Sequence, residues 1–145
     1  MIHKKLNEVP QLPMTMAGAE KVEMQLLCGP GDGCPNFAMR KFAVAAGGCT
    51  PKHQHDYEHE VLILAGEGVA YGNGKENAIV AGDVLFIPAN ELHQFRNTGQ
   101  AALEFLCLVP AFVHQPGGAA AGVAKKAVDC ACDGTPGCCA EVPVK

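Results

Sequence analysis

Two short runs of the sequence contain four of the protein's six histidines. The first run holds His53, His55, His59 and Glu60, and the second holds His93. In a β-strand, residues two positions apart point to the same face, so His53 and His55 could present two imidazoles to one ion. His59 and Glu60 would return to that ion after a bend, and His93 is the histidine placed to add a ligand from far along the chain. The spacing predicts one divalent metal site.

The elements that must position these residues are predicted to be short β-strands. Apolar runs separated by glycine, proline or asparagine recur along the chain, which is typical of an antiparallel sandwich or barrel. Asn73-Gly74 can occupy the two positive-φ positions of a tight hairpin turn. The predicted strands span residues 22–28, 36–46, 59–65, 84–87, 92–97 and 102–109. We expect them to fold as the two facing sheets of a jelly roll.

The first histidine run resembles the first sequence motif of the cupin superfamily. That motif is a glycine, then two histidines one residue apart, then a glutamate and a second glycine. Gly47, His53, His55 and Glu60 match it in type and spacing. The closing glycine arrives one place early, at Gly66.

The second run resembles the second cupin motif, with Gly82, Pro88, His93 and Asn97 at the matching positions. Asn90 stands where the motif has glycine. Asparagine is the residue other than glycine that best tolerates positive φ, so the turn is expected to survive. The resemblance covers roughly residues 20–115, and two motifs in the right order make it more specific than one His-x-His pair.

The resemblance implies an all-β cupin jelly-roll barrel, also called a double-stranded β-helix. It is closest to the small single-domain, cupin-2-type proteins that bind manganese or iron and carry a histidine directly before the glutamate. In that subgroup the ligands would be His53, His55, His59 and His93, and the ion would be one Mn or Fe per chain, with Zn, Ni and Cu as alternatives. The common cupin set would instead use Glu60. Cupin likeness also implies a homodimer.

Strand alternation leaves the choice between His59 and Glu60 open, because residues 61–65 are apolar on both faces of the predicted strand. His59 shares the parity of His53 and His55, and together with the resemblance this favours His59 as the ligand. Glu60 would then support the ligands without touching the ion.

Four neutral imidazoles leave a bound ion its full positive charge, which favours capture of an anionic compound. We predict a metal-dependent oxidoreductase of dioxygenase-like chemistry acting on a small oxygenated organic compound, with isomerase or decarboxylase activity also open. The alternative is a binding or sensor protein that holds a small carboxylate without turnover. Tyr57 and Glu60 are candidate proton carriers, and Arg40 is the candidate partner for a substrate carboxylate.

Composition argues against nucleic acid and membranes as partners. The formal charge is -4, and the lysines and arginines form no long cluster, which argues against nucleic acid. No apolar run is long enough for a membrane span, and the first residues lack the apolar stretch of a secretory signal. We therefore expect a cytoplasmic protein.

The carboxyl-terminal part is predicted to be separate from the cupin domain, which we assign to residues 1–115. Residues 116–128 read as an alanine- and glycine-rich linker, and residues 129–145 as a short cysteine-rich tail. The tail contains Cys130, Cys132, Cys138 and Cys139. These thiols could form a mobile tail, a clasp for a soft metal such as Zn(II) or Cu(I), an iron-sulfur site or a redox pair.

Overall fold

The computed structural model describes residues 1–114, which form nine β-strands. The helical segments within this range are three short 3-10 turns, at Leu6–Glu8, Pro30–Asp32 and Ala111–His114. The strands are β1 (Leu12–Pro13), β2 (Glu20–Cys28), β3 (Phe37–Cys49), β4 (His59–Ala65), β5 (Glu67–Gly72), β6 (Lys75–Val80), β7 (Val84–Ile87), β8 (His93–Asn97) and β9 (Leu103–Pro110).

All strand pairs are antiparallel, and they join into one curled sheet with the order β6-β5-β8-β3-β9-β4-β7. The two predicted sheets are continuous because β3, with 13 residues, pairs with β2, β8 and β9. β2 and the short β1 extend the sheet beside β3. The result is the half-barrel of an all-β jelly roll, whose concave face holds the core.

All six predicted strands are present, each within three residues of its predicted ends, and β1, β5 and β6 are additional strands. The hairpin turn between β5 and β6 is confirmed, with φ of 49° at Asn73 and 80° at Gly74. One prediction is wrong: His53 and His55 do not lie in a regular strand. They lie in the connection between β3 and β4, where His53 makes a single β-bridge to His93.

Alternation along β4 decides which face each of its side chains takes. Val61 and Ile63 are buried at 2% and 1% exposure, whereas Leu62 and Leu64 are 38% and 39% exposed. His59 lies in register with the buried set. β4 therefore has a buried inner face and an exposed outer face, and the outer face is apolar as well. For that reason the sequence did not show which face is buried.

Aromatic side chains fill the barrel next to the histidines. The Phe105 ring stacks on Phe42 with a centroid distance of 5.2 Å and on Phe95 with a distance of 4.7 Å. All three rings are at least 95% buried. Gly66 closes the neighbouring corner at φ 78°, where a Cβ atom would lie 2.3 Å from the carbonyl oxygen of Ala102. Only glycine fits there, since both the backbone angle and the space exclude a side chain.

The predicted linker (residues 116–128), the tail (residues 129–145) and the four tail cysteines lie outside the described residues. Within residues 1–114, no helix is long and apolar enough to cross a membrane.

Candidate metal centre

Four histidines from three parts of the chain meet inside the barrel. His59 begins β4, His93 begins β8, and His53 and His55 come from the connection that precedes β4. One ring nitrogen from each lies within 4.8 Å of the others. Two backbone hydrogen bonds, of 3.1 and 2.9 Å, join His53 to His93 and hold the connection against β8. The fold thus brings together all four histidines that the sequence predicted as ligands.

Three of the four rings are oriented by backbone carbonyl groups two residues away. The Nδ1 atom of His53 lies 2.9 Å from the Pro51 oxygen, that of His55 lies 2.7 Å from the Tyr57 oxygen, and that of His93 lies 2.8 Å from the Glu91 oxygen. A carbonyl only accepts, so each Nδ1 carries the proton and each Nε2 keeps a lone pair. This arrangement is the usual way in which a protein aims an imidazole at a metal.

His59 has different partners at its Nδ1 atom. Arg40 Nη2 and Cys107 Sγ each lie 3.4 Å from it, and Arg40 Nη2 also lies 2.9 Å from that sulfur. A guanidinium only donates, whereas a sulfur can accept. His59 can therefore carry its proton on either nitrogen: with Nδ1 bare it accepts from Arg40, and with Nδ1 protonated it donates to Cys107.

The imidazole nitrogens that face the centre of the cluster are better suited to binding a cation than to hydrogen bonding with one another. The Nε2 atoms of His55 and His59 lie 2.7 Å apart, so without an ion one of them must carry a proton between them. The Nε2 atom of His93 is buried and has no hydrogen-bond partner. A divalent ion would accept all of these lone pairs, and an imidazole-only donor set suits borderline transition metals.

The electrostatics keep the imidazoles neutral, which is the form that binds metal. Burial lowers the pKa of His55 and of His93 to about 4, with neighbouring imidazoles adding to the effect. Burial also lowers the pKa of His53. At His59, burial, the Arg40 charge and the other three rings together hold the pKa far below its usual value.

Arg40 brings a positive charge into the same pocket. Its guanidinium lies 5.1 Å from the centre of the Phe42 ring, and its Nε atom is buried without a partner. None of the ion pairs between side chains of residues 1–114 includes Arg40. Of the protein's two arginines, the other, Arg96, pairs with Glu76 at 2.6 Å. A half-buried arginine without a carboxylate partner is a natural anchor for an anionic ligand.

The two predicted proton carriers lie in different places. Tyr57 lines the pocket, and its ring stacks on His55 at 3.7 Å between centroids. Burial raises the pKa of Tyr57, so its hydroxyl stays protonated at neutral pH. Glu60 is exposed on the outer face of β4, because consecutive strand residues point to opposite sides. The structure does not bring Glu60 to the histidines.

Two further side chains next to the histidines, those of Cys107 and His114, were not predicted from the sequence to belong to the pocket. Cys107 pairs with Arg40 in the register of β3 and β9 and so lies beside His59. Alternation in β9 would have marked it as inward-facing. His114 also lines the pocket, with a buried Nε2 atom that has no partner. It lies at the end of a 3-10 turn, and no sequence motif singles it out.

The part of the chain that contains the four histidines also matches known proteins. Residues 40–109 match the family model of the cupin domain. A predicted oxalate decarboxylase from Thermotoga maritima superimposes with a TM-score of 0.68 at 32% identity, over 76% of this chain and 99% of that one. The chain belongs to the cupin family. This cupin also resembles the polyketide cyclase RemF from Streptomyces resistomycificus, with a TM-score of 0.73 and 27% identity over 77% and 80% of the two chains.

An oxalate-binding protein from Thermotoga maritima is 48% identical to this cupin over 58 residues, which are 39% of this chain and 48% of that protein. The chain spans about half the length of the first curated relatives that it matches.

The second cupin motif keeps its turn despite its one departure. Asn90 takes φ 66°, as the sequence predicted, and its backbone N–H donates to the His55 oxygen at 2.6 Å. Asn97 is buried and donates to the carbonyl oxygens of Val44 and Ala101 at 2.7 and 2.8 Å. These contacts fix the two ends of the segment that carries His93.

Proposed function

We propose that this cupin holds one divalent manganese or iron ion in the four-histidine cluster and uses it to capture and oxidise a small anionic organic compound. The observation that carries the proposal is the convergence of four neutral imidazoles in a pocket that also contains an arginine without an ion-pair partner. The ion would supply open coordination positions for the substrate and for dioxygen, together with undiminished positive charge.

The protein's own residues would bind and orient the substrate. Arg40 would pair with a substrate carboxylate next to the histidines, because its charge has no other acidic partner within residues 1–114. Tyr57 would donate a hydrogen bond to the substrate, since burial raises the pKa of its hydroxyl and keeps it protonated. Both side chains line the pocket.

The experiment is metal analysis of the purified protein, followed by a dioxygen-uptake screen over enolisable acids and phenols. We expect about one equivalent of manganese or iron per chain and oxygen consumption that depends on the organic substrate. Arg40→Met should weaken binding of the carboxylate about tenfold to a hundredfold, the range for losing one hydrogen bond to a charged group. Arg96→Met is the matched control, because Arg96 makes a surface ion pair.

A second candidate function is binding without turnover. One observation favours it: the side chains that line the pocket within residues 1–114 include no aspartate or glutamate that could act as a general base. The name of the oxalate-binding relative points the same way. A metal-loaded protein that binds an acid, consumes no dioxygen and leaves the acid unchanged would support this candidate over the proposed oxidoreductase.

We also propose that the cupin is a homodimer. The outer face of the edge strand β7 and its neighbour β4 exposes large apolar side chains, with Phe86 at 66%, Val84 at 79%, and Leu62 and Leu64 at 38% and 39%. Such a patch at a sheet edge is typical of a protein contact. Light scattering should give about twice the mass of the 15.1 kDa chain, and Phe86→Lys should lower it.

A further inference from the structure

The pocket is larger than the metal cluster requires. Its volume is about 530 Å³, which lies within the range of roughly 300–1,000 Å³ that is typical of sites for organic ligands. Besides the histidines, Arg40 and a few smaller or polar residues such as Thr50 and Gln54, six large apolar side chains line it: Met14, Met16, Met24, Phe42, Phe95 and Phe105.

Strand register separates this apolar set from the metal cluster. On β3, Arg40 and Phe42 are two residues apart and line the same pocket, and their partners on β9 are Cys107 and Phe105. Two residues along a strand correspond to a rise of about 7 Å. On β8 the same step leads from His93 to Phe95. The pocket therefore has a polar level, formed by the histidines with Arg40, and a neighbouring aromatic level.

Three methionines complete the wall beside the aromatic level. Met24 pairs with Phe42 across β2 and β3, and Met14 and Met16 come from the segment before β2. The backbone N–H of Met14 donates to the Val22 oxygen at 2.9 Å, which holds this segment against the barrel. Three of the protein's five methionines thus line one cavity. Methionine is flexible and polarisable, and it suits a surface that adapts to an apolar ligand.

We infer that the apolar level is a binding site for the hydrocarbon part of the ligand. The ligand is then a carboxylate or enolate that carries an alkyl or aryl substituent. Its anionic end lies at the histidines and Arg40, and its substituent lies against the methionines and phenylalanines. This inference rests on the proposed function for its anionic end. Oxalate, whose carbons both belong to carboxylates, has no surface to place against the apolar level.

The test is calorimetric titration of the full-length, Mn(II)-loaded protein with oxalate and with a series of 2-oxo acids: pyruvate, 2-oxobutyrate, 2-oxohexanoate and phenylpyruvate. We expect the dissociation constant to fall about threefold to fourfold for each added methylene group, which is the usual effect of burying one such group. Binding of the longer acids should also show a more negative heat-capacity change, the marker of apolar burial.

Met24→Gln supplies the matched variant. It should flatten the dependence on chain length and leave the affinity for oxalate within about twofold, because Met24 belongs to the apolar wall. Leu12→Gln is the control: Leu12 pairs with Met24 but is 61% exposed and does not line the pocket. Leu12→Gln should show the same dependence of affinity on chain length as the unaltered protein. That result would also show that a polar substitution in this region is tolerated.

Two results would overturn the inference in different ways. If oxalate and the short acids bind but lengthening the chain brings no gain, the apolar level is ordinary core and the proposed function stands. If no acid of either kind binds to the metal-loaded protein, the proposed function fails and this inference fails with it.

Discussion

Two neighbouring residues on β4 offer the sharpest test of the metal centre. His59 is 6% exposed and faces the other three histidines, whereas Glu60 is exposed on the opposite face of the strand. The common cupin ligand set would use the glutamate, and the four-histidine set uses the histidine. Replacing each residue separately, as His59→Ala and Glu60→Gln, distinguishes the two ligand sets at adjacent positions of one strand.

The expected difference is large. Four-ligand protein sites for zinc have apparent binding free energies of about 10–16 kcal/mol, so an equal share is about 2.5–4 kcal/mol per ligand. At 1.4 kcal/mol per factor of ten, loss of one ligand weakens binding roughly a hundredfold to a thousandfold. Manganese and iron bind more weakly than zinc, which places His59→Ala near the lower figure. Glu60→Gln changes an exposed side chain and should alter the affinity by less than about threefold.

The assay is competition between the metal-free variants and a chelator of known affinity for Mn(II). Circular dichroism of each metal-free variant shows whether the barrel has folded. His59→Gln serves as a second variant, because its larger side chain leaves a smaller hole beside Arg40 and Cys107 than alanine does. We expect both His59 variants to lose metal to the chelator at concentrations where Glu60→Gln keeps it.

The opposite pattern would exclude the four-histidine ligand set. If His59→Ala keeps its metal and Glu60→Gln loses it, then Glu60 must reach the ion, and β4 must present the other face when metal binds. The conventional set of three histidines and one glutamate would then replace the four-histidine set.

Three further outcomes follow from the structure. Cys107→Ala should weaken metal binding about tenfold to a hundredfold, the usual effect of losing a group that orients a ligand, while Cys107→Ser keeps an acceptor and should lose less; chelator competition measures both. The metal-free protein should lose stability as the pH falls from 6.5 towards about 4, measured by urea unfolding: burial lowers the pKa of His55 and His93 in the folded state, so the unfolded chain binds more protons in that window. A flat profile there would contradict it. Truncation after Pro116 should leave the barrel folded with its ion, measured by circular dichroism and metal analysis, whereas a truncated protein that purifies without metal would show that the tail is needed to close the site.

The family, the turns and the candidate ligands were predictable from the sequence alone. The turns are predictable because local backbone preferences are strong there. Asn73-Gly74 and Asn90 take positive φ angles that few other residues tolerate. Histidines are few, so four of them in two motifs could be recognised without knowing the fold. Such signals are local in the chain, and for that reason they can be read from it.

The set of residues that share the pocket with the histidines depends on long-range packing. Strand alternation could not choose between His59 and Glu60, because the strand that carries them is apolar on both faces. The sequence favoured His59 only through its parity with His53 and His55 and through the resemblance. Packing against β9 and β7 makes that choice. The pairing of Arg40 with Cys107 and the gathering of three methionines depend on register between strands far apart in sequence. Long-range pairing is set by the burial of the whole sheet, which no single segment specifies.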